Sequence, residues 1–135
     1  MIAADTTVVV AAAAPWHDDH ATARSAVERL KPRLLGHVAV ETYSVLTRLP
    51  PPLRLAAAVA RDYLIEGFES PPLVLSANGY RKLIKEAADV GIVGGALYDA
   101  LVGATARESG ASLLTLDRRA VATYQLLGVD YRLIV

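Results

Sequence analysis

The sequence contains no cysteine. This absence excludes a disulfide framework and a zinc site built from thiolates, and it fits a reducing compartment. A net charge is also missing, because fourteen acidic residues balance fourteen basic ones. Any surface that binds nucleic acid must therefore be a local basic patch rather than an overall positive field.

Long hydrophobic runs are absent as well. The longest apolar stretch near the start, residues 6–16, is much shorter than the roughly 20 residues that a membrane-spanning helix needs. The opening residues, MIAAD, carry no basic stretch, so we expect no signal peptide, no membrane contact and a cytoplasmic location. With 53% hydrophobic and 21% charged residues, the chain has the composition of one folded domain over residues 1–135.

Short apolar segments alternate with longer helical patterns along the chain. The predicted strands are MIAA, RLLGHV, PLVLS, ASLLTL and DYRLIV. Helical spacing of apolar residues predicts helices over 6–14, 18–31, 40–49, 53–68, 77–91, 95–110 and 118–128. Strands that are separated by helices indicate an α/β fold with a mostly parallel sheet.

Most acidic side chains are explained as surface charges. Glu28 has Arg24 four residues before it, and Glu86 has Lys82 at the same spacing. Such pairs stabilise a helix by about 0.2–0.5 kcal/mol each and need no further role. The acids of interest for function are those without such a partner.

Asp5 and Asp117 each stand at the end of a predicted strand. Each would be a good N-cap for the helix that follows, and capping alone explains a carboxylate at such a position. In an open α/β sheet, however, ligands bind at the carboxyl ends of the strands. Two aspartates at two such ends favour a ligand site more than either does alone.

Glu41 and Asp99 lie on predicted helices among apolar residues. We expect neither to have a basic partner three or four residues away, the spacing that would pair it on a helix surface. Gly103 follows on the same predicted helix as Asp99. A glycine inside a helix costs roughly 1 kcal/mol relative to alanine, which indicates close packing against another backbone.

These four carboxylates together point to a metal site. One unpaired buried carboxylate is costly, and several that converge repel each other and raise each other's pKa values. A divalent cation supplies the missing charge, and a ligand set made only of oxygen favours Mg²⁺ or Mn²⁺ over zinc. Metal-assisted hydrolysis of a phosphodiester bond is the chemistry that such a site serves best.

In their order and spacing, these segments resemble the PIN-domain ribonucleases, and within them the VapC toxins of bacterial toxin–antitoxin systems. The motifs are IAADTT, VETYSVLTR, LYDALVGATARESGA and LLTLDRR, and the resemblance covers nearly the whole chain. It implies a parallel sheet of about five strands with helices on both faces. It also implies a catalytic metal site at Asp5, Glu41, Asp99 and Asp117.

The resemblance further implies how the site is supported and what it acts on. The hydroxyls of Thr6 and Thr115 match positions that support the acids by hydrogen bonding. The expected cofactor is Mg²⁺, with Mn²⁺ as a substitute, and the expected substrate is tRNA, rRNA or mRNA. Arg48, Arg118 and Arg119 are candidates for binding RNA phosphates, although basic residues on a helix surface are usually just solvated.

The resemblance also implies protein partners. A cognate VapB-type antitoxin is expected to neutralise the nuclease, and the chain is expected to form a homodimer. Residues 50–68, which begin with a proline run and continue as an amphipathic helix, are a candidate part of the antitoxin-binding surface. The apolar stripe of this helix is explained equally well as part of the core.

Two other functions compete with a nuclease. The first is a non-catalytic α/β module that binds a metal ion or a partner through the same acids. The second is a phosphoacceptor domain of the receiver type, which also clusters aspartates at strand ends. The receiver type would need a second acid beside Asp5 and a lysine after a late strand, and lysine occurs only at positions 31, 82 and 85.

Overall fold

The computed structural model describes residues 1–135 and contains three strands and seven helices. In chain order these are β1 Ile2–Ala4, α1 Thr6–Ala13, α2 His20–Leu30, α3 Gly36–Arg48, α4 Ala57–Glu66, α5 Ala77–Val90, α6 Ala96–Glu108, β2 Ser112–Thr115, α7 Ala120–Leu126 and β3 Tyr131–Leu133. None of these helices combines the length and the apolar character that crossing a membrane requires.

The three strands form one parallel sheet in the order β1-β2-β3. Ala3 pairs with Leu113 across the first ladder, and Leu114 pairs with Arg132 across the second. All four residues of the central strand β2 are buried, and successive side chains of a strand point to opposite faces. Both faces of the sheet centre are therefore covered, with α1 and α6 packed on β2. The predicted α/β class with a parallel sheet is confirmed.

The predicted number of about five strands is wrong, because the sheet has three. The two missing segments are present only as isolated parallel bridges, between Ala3 and Arg33 and between Leu35 and Leu73. The backbone N–H of Arg33 donates to the carbonyl of Ile2 at 2.8 Å. Helix α3 already begins at residue 36, so the segment 33–35 is too short to continue this pairing as a ladder.

Two helices begin four residues away from the position that the sequence pattern predicts, whereas the others begin within two residues of it. Helix α3 begins at Gly36 rather than at residue 40, and α4 begins at Ala57 rather than at residue 53. On α4, Ala60 and Leu64 are buried, while Ile65 is 72% exposed. The helix thus contributes to the core on one side and presents an apolar residue to solvent on another.

The carboxyl end of the sheet places two of the candidate acids. Asp5 directly follows β1, and its backbone N–H donates to the carbonyl of Leu114 on β2 at 3.0 Å. Asp117 comes two residues after β2. Because the two strands are parallel, their carboxyl ends lie at the same edge, and both aspartates reach that edge.

Candidate active site

One pocket collects the four carboxylates. Asp5, Glu41, Asp99 and Asp117 all line a cavity of about 280 Å³. Two of them come from the ends of β1 and β2, and the other two come from α3 and α6. The fold therefore brings together the four acids that the sequence pattern singles out.

Asp5 is the most deeply buried of the four, at 4% exposure. It is the N-cap of α1, and its Oδ1 accepts hydrogen bonds from the backbone N–H and the hydroxyl of Thr7 and from the N–H of Val8. Its Oδ2 accepts a hydrogen bond from the hydroxyl of the buried Tyr124 at 2.9 Å. Burial raises the pKa of Asp5, and the hydrogen bonds from neighbouring hydroxyls, Thr115 first among them, partly offset this rise.

Asp117 both closes the turn that leads into α7 and lines the pocket, whereas the N-cap of α7 is Arg119 rather than the expected Asp117. Its Oδ1 accepts hydrogen bonds from the N–H of Arg119 at 2.9 Å and of Ala120 at 3.3 Å. Its own N–H donates to the hydroxyl of Thr115 at 3.0 Å. The role in this turn and the role in the acidic pocket are compatible, because the turn uses only one of the two carboxylate oxygens.

Glu41 has a partner that the sequence pattern did not reveal. The Nε2 of His37, four residues earlier on α3, lies 3.2 Å from the Oε2 of Glu41. The expectation that Glu41 has no basic partner at helical spacing is therefore wrong. It failed because residues 36–38 were assigned to a strand, where side chains four residues apart do not meet as they do on a helix.

Burial and the negative charges of the other three acids raise the pKa of Asp99. Partial burial and the negative charges of Asp117, Asp5 and Glu41 raise the pKa of Asp99 to about 6. Arg119 opposes this rise. Like charges in proximity have this effect because each carboxylate makes ionisation of the next less favourable, and a bound cation would oppose it.

Replacing Asp99 by Asn should stabilise the metal-free protein at neutral pH. The folded-state pKa of about 6 lies above the unfolded value near 3.8, so the folded protein binds more protons between these values and loses stability as pH rises through them. We expect the Asn variant to gain about 1–2 kcal/mol at pH 7.5, a figure reduced for solvent screening of this half-exposed group.

Urea unfolding of both proteins in EDTA would measure this gain. At pH 4.5 Asp99 is largely protonated in the folded protein but still mostly ionised in the unfolded chain, so the difference between the two proteins should shrink to about a third and should vanish only below the unfolded pKa of 3.8. An equal gain at both pH values would show that the substitution acts through packing and not through charge.

The residues at this pocket fit a hard cation in charge and in donor type. The acidic donors are all oxygen, and the buried hydroxyl oxygen of Thr6, which lines the same pocket, has no hydrogen-bond partner in the protein. In the conformation described, no three acidic or histidine side chains converge closely enough to hold one ion. Asp5 is held by hydrogen bonds to both its carboxylate oxygens. Rotation of the other acidic side chains would therefore have to accompany binding.

The supporting residues differ partly from those expected. The structure places Thr115 between Asp5 and Asp117, but it is Thr7, not Thr6, whose hydroxyl donates to Asp5. The hydroxyl of Thr7 also accepts the N–H of Leu116, so it ties the start of α1 to the end of β2. No signal in the sequence distinguishes two adjacent threonines in the first turn of a helix, because only the cap geometry decides which hydroxyl turns inward.

The three candidate arginines do not form one group. Arg119 is exposed and close enough to Asp99 to lower the pKa of that carboxyl. Arg118 is exposed beside it. Arg48 does not line the pocket, and its guanidinium donates to the hydroxyl of Ser44 at 3.1 Å.

The ends of two parallel strands and two flanking helices present four carboxylates to one pocket. This arrangement defines an α/β protein with an acidic cleft at the carboxyl edge of its sheet, the edge at which such folds bind ligands. A family model for the PIN domain matches residues 2–126. The chain is 51% identical over 134 residues to Ribonuclease VapC40 of Mycobacterium tuberculosis, which covers 99% of both chains. It is 43% identical over 128 residues to Ribonuclease VapC27 of the same species, covering 95% of this chain and 93% of the relative. The chain belongs to the PIN domain family and, within it, to the VapC proteins.

Proposed function

We propose that this protein is a metal-dependent endoribonuclease toxin that hydrolyses RNA phosphodiester bonds in the cytoplasm and is neutralised by a VapB-type antitoxin. The observation that carries the proposal is the convergence of four carboxylates on one pocket, where three of them raise the pKa of the fourth. Two relatives with high coverage are named ribonucleases, and this supports the assignment of RNA as the substrate.

The proposed cofactor is Mg²⁺, for which Mn²⁺ is a plausible substitute because both prefer oxygen ligands. Asp5, Glu41, Asp99 and Asp117 would hold it. When bound, such an ion supplies positive charge to the oxygens of the scissile phosphate and favours deprotonation of the attacking water.

The chain's own residues orient the reacting groups. Tyr124 and Thr7 fix the carboxylate of Asp5 from two sides, so its direction does not depend on the ligand. Arg119, which follows Arg118 in the sequence, is close enough to lower the pKa of Asp99 and would bind an RNA phosphate. Attack of water on phosphorus with departure of the 3′-oxygen would leave one end with a 3′-hydroxyl and the other with a 5′-phosphate.

Cleavage of purified tRNA, rRNA and mRNA by the antitoxin-free protein tests the proposal. Parallel reactions would contain Mg²⁺, Mn²⁺ or EDTA, and the ends of the products would be mapped. Discrete cuts that require the metal and leave 5′-phosphates support a metal-dependent endoribonuclease. A folded protein that binds the metal and cuts none of these RNAs would favour the non-catalytic binding module instead.

Replacing Ile65 by Asp should weaken inhibition by the antitoxin without changing RNA cleavage. We propose that α4 is part of the antitoxin-binding surface, because Ile65 is 72% exposed on a helix whose Ala60 and Leu64 belong to the core. Burying a new, unpaired charge in such an interface should raise the inhibition constant of purified antitoxin about tenfold or more.

Ile84 on α5 is 63% exposed and gives a matched control, since Ile84→Asp adds the same charge to another helix. Equal inhibition of both variants and of the wild type would exclude α4 from the interface. Sedimentation of the same variants tests the proposed homodimer, because a change of mass with Ile65→Asp alone would assign this face to a second copy of the chain.

A further inference from the structure

An exposed tyrosine lies directly beside the acidic pocket. Tyr98 precedes Asp99 on α6, lines the same cavity and is 59% exposed. A single exposed tyrosine is ordinary on a protein surface. The contacts of the Tyr98 ring with its neighbours are not ordinary, and they indicate a binding role.

The ring of Tyr98 is stacked on the ring of His37. The two centroids are 5.7 Å apart and the planes differ by only 12°. His37 is in turn fixed by its contact of 3.2 Å with Glu41. One face of the Tyr98 ring lies towards His37, and because Tyr98 is 59% exposed, the residue keeps an open surface on which a third ring could stack. We call this pair the Tyr98–His37 platform.

We propose that the Tyr98–His37 platform stacks an unpaired nucleobase of the RNA next to the phosphate that is cut, an inference that rests on the proposed ribonuclease function. An aromatic ring binds any base by stacking, because every base has a π-face. The bases of a duplex are already paired and stacked on their neighbours, so they offer no free face. The platform therefore selects a single-stranded nucleotide and places its phosphate at the carboxylates.

A second aromatic pair at the pocket does not provide such a surface. His17 lines the cavity, and its ring centroid lies 5.8 Å from the ring centroid of Trp16. Trp16 is 46% exposed. Their rings are inclined by 43°, so they do not form a continuous stack that a third ring would extend. The parallel geometry assigns the stacking position to Tyr98.

Binding of a short RNA to three variants tests the platform. The probe is a fluorescein-labelled RNA of about 12 nucleotides, single-stranded or annealed to its complement, in Ca²⁺ instead of Mg²⁺ and at fixed salt. We expect Tyr98→Ala to raise the Kd for the single strand about fivefold to a hundredfold, and to leave the Kd for the duplex unchanged. Tyr98→Phe should bind like the wild type, because it keeps the ring.

Tyr80 on α5 is 48% exposed and does not line the pocket, so Tyr80→Ala is the matched control and should have no effect on binding. An abasic nucleotide moved along the probe adds a readout that a merely structural role of Tyr98 would not alter. At one position the missing base should weaken wild-type binding by the same factor as Tyr98→Ala, and the two changes together should cost no more than one.

The outcomes separate this inference from the proposed function. If the wild type cuts RNA and Tyr98→Ala binds the single strand as tightly as the wild type, the platform is refuted and the ribonuclease stands. If Tyr98→Ala weakens binding by the same factor as the abasic position, the platform is supported even where no cleavage of the RNA panel is found. Additive effects of the abasic nucleotide and Tyr98→Ala at every position would refute it.

Discussion

Asp99→Asn should lower RNA cleavage by more than about a hundredfold. Changes to residues that only support the ligands of a metal site typically cost 10- to 100-fold in metal affinity or activity, so the loss of a ligand should exceed that range. Asparagine has nearly the same shape as aspartate but supplies no negative charge, and the charge of this cluster is what a cation would neutralise.

The same variant should lose its response to the metal in a measurement that does not depend on activity. Mg²⁺ that binds only the folded protein raises its melting temperature by mass action. We expect this rise in the wild type and a much smaller one in Asp99→Asn. Because the variant should also be more stable than the wild type in EDTA, its loss of activity could not be ascribed to unfolding.

Asp89→Asn is the control for Asp99→Asn. Asp89 is an exposed carboxylate on α5 and does not line the pocket, so its removal changes net charge by the same amount. It should leave cleavage and the response to Mg²⁺ unchanged. Full activity of Asp99→Asn in Mg²⁺ would contradict the proposed metal site, and equal loss in both variants would indicate a general effect of charge on RNA binding.

Position at the end of a strand made two of the four acids predictable. Asp5 and Asp117 follow short apolar runs, and parallel strands carry their ends to one edge, so a sequence pattern can bring these residues together without any knowledge of side chains. Glu41 and Asp99 were found by a weaker argument, the apparent lack of a partner. For Asp99 the cation that matters, Arg119, lies on another segment, and its proximity is a property of the tertiary structure.

The parts that could not be predicted depend on geometry finer than a pattern of apolar residues. His37 was assigned to a strand because RLLGHV contains apolar residues at a spacing that suits either structure. The helix in fact begins at Gly36 and turns His37 towards Glu41 and Tyr98. The two predicted strands that form only isolated bridges could not be excluded from the sequence for a similar reason. β propensity does not indicate how many residues a neighbouring helix leaves free for strand pairing.

Gly103→Val should destabilise the protein by about 2–3 kcal/mol. The expected close packing at Gly103 is present, but against side chains rather than a backbone. A Cβ at this position would lie 2.9 Å from Cγ2 of Val129 and 3.1 Å from Cδ1 of Tyr124. Tyr124 is only 1% exposed and has no free space to move into, so added methyl groups force strain in the core that outweighs the gain in helix propensity. Urea unfolding would measure the loss.

Gly95 provides the control, because a Cβ there meets no atom within 4 Å. Gly95→Val should change stability by less than about 1 kcal/mol. Equal stability of Gly103→Val and the wild type would mean that Val129 and Tyr124 yield without cost, and that the glycine is not required for packing.

The substitution at Gly103 should also affect the active site, because it displaces the ring of Tyr124. That ring carries the hydroxyl that donates to the buried Oδ2 of Asp5, so displacing it removes the hydrogen bond. Tyr124→Phe removes the same bond without moving the ring and should cost about 1–3 kcal/mol, because a buried carboxylate oxygen loses its donor. If Gly103→Val acts by displacing Tyr124, the double variant should lose less stability than the sum of the two single variants. Strict additivity would show that Gly103→Val acts through Val129, and that Asp5 keeps its partner when α6 is altered at this point.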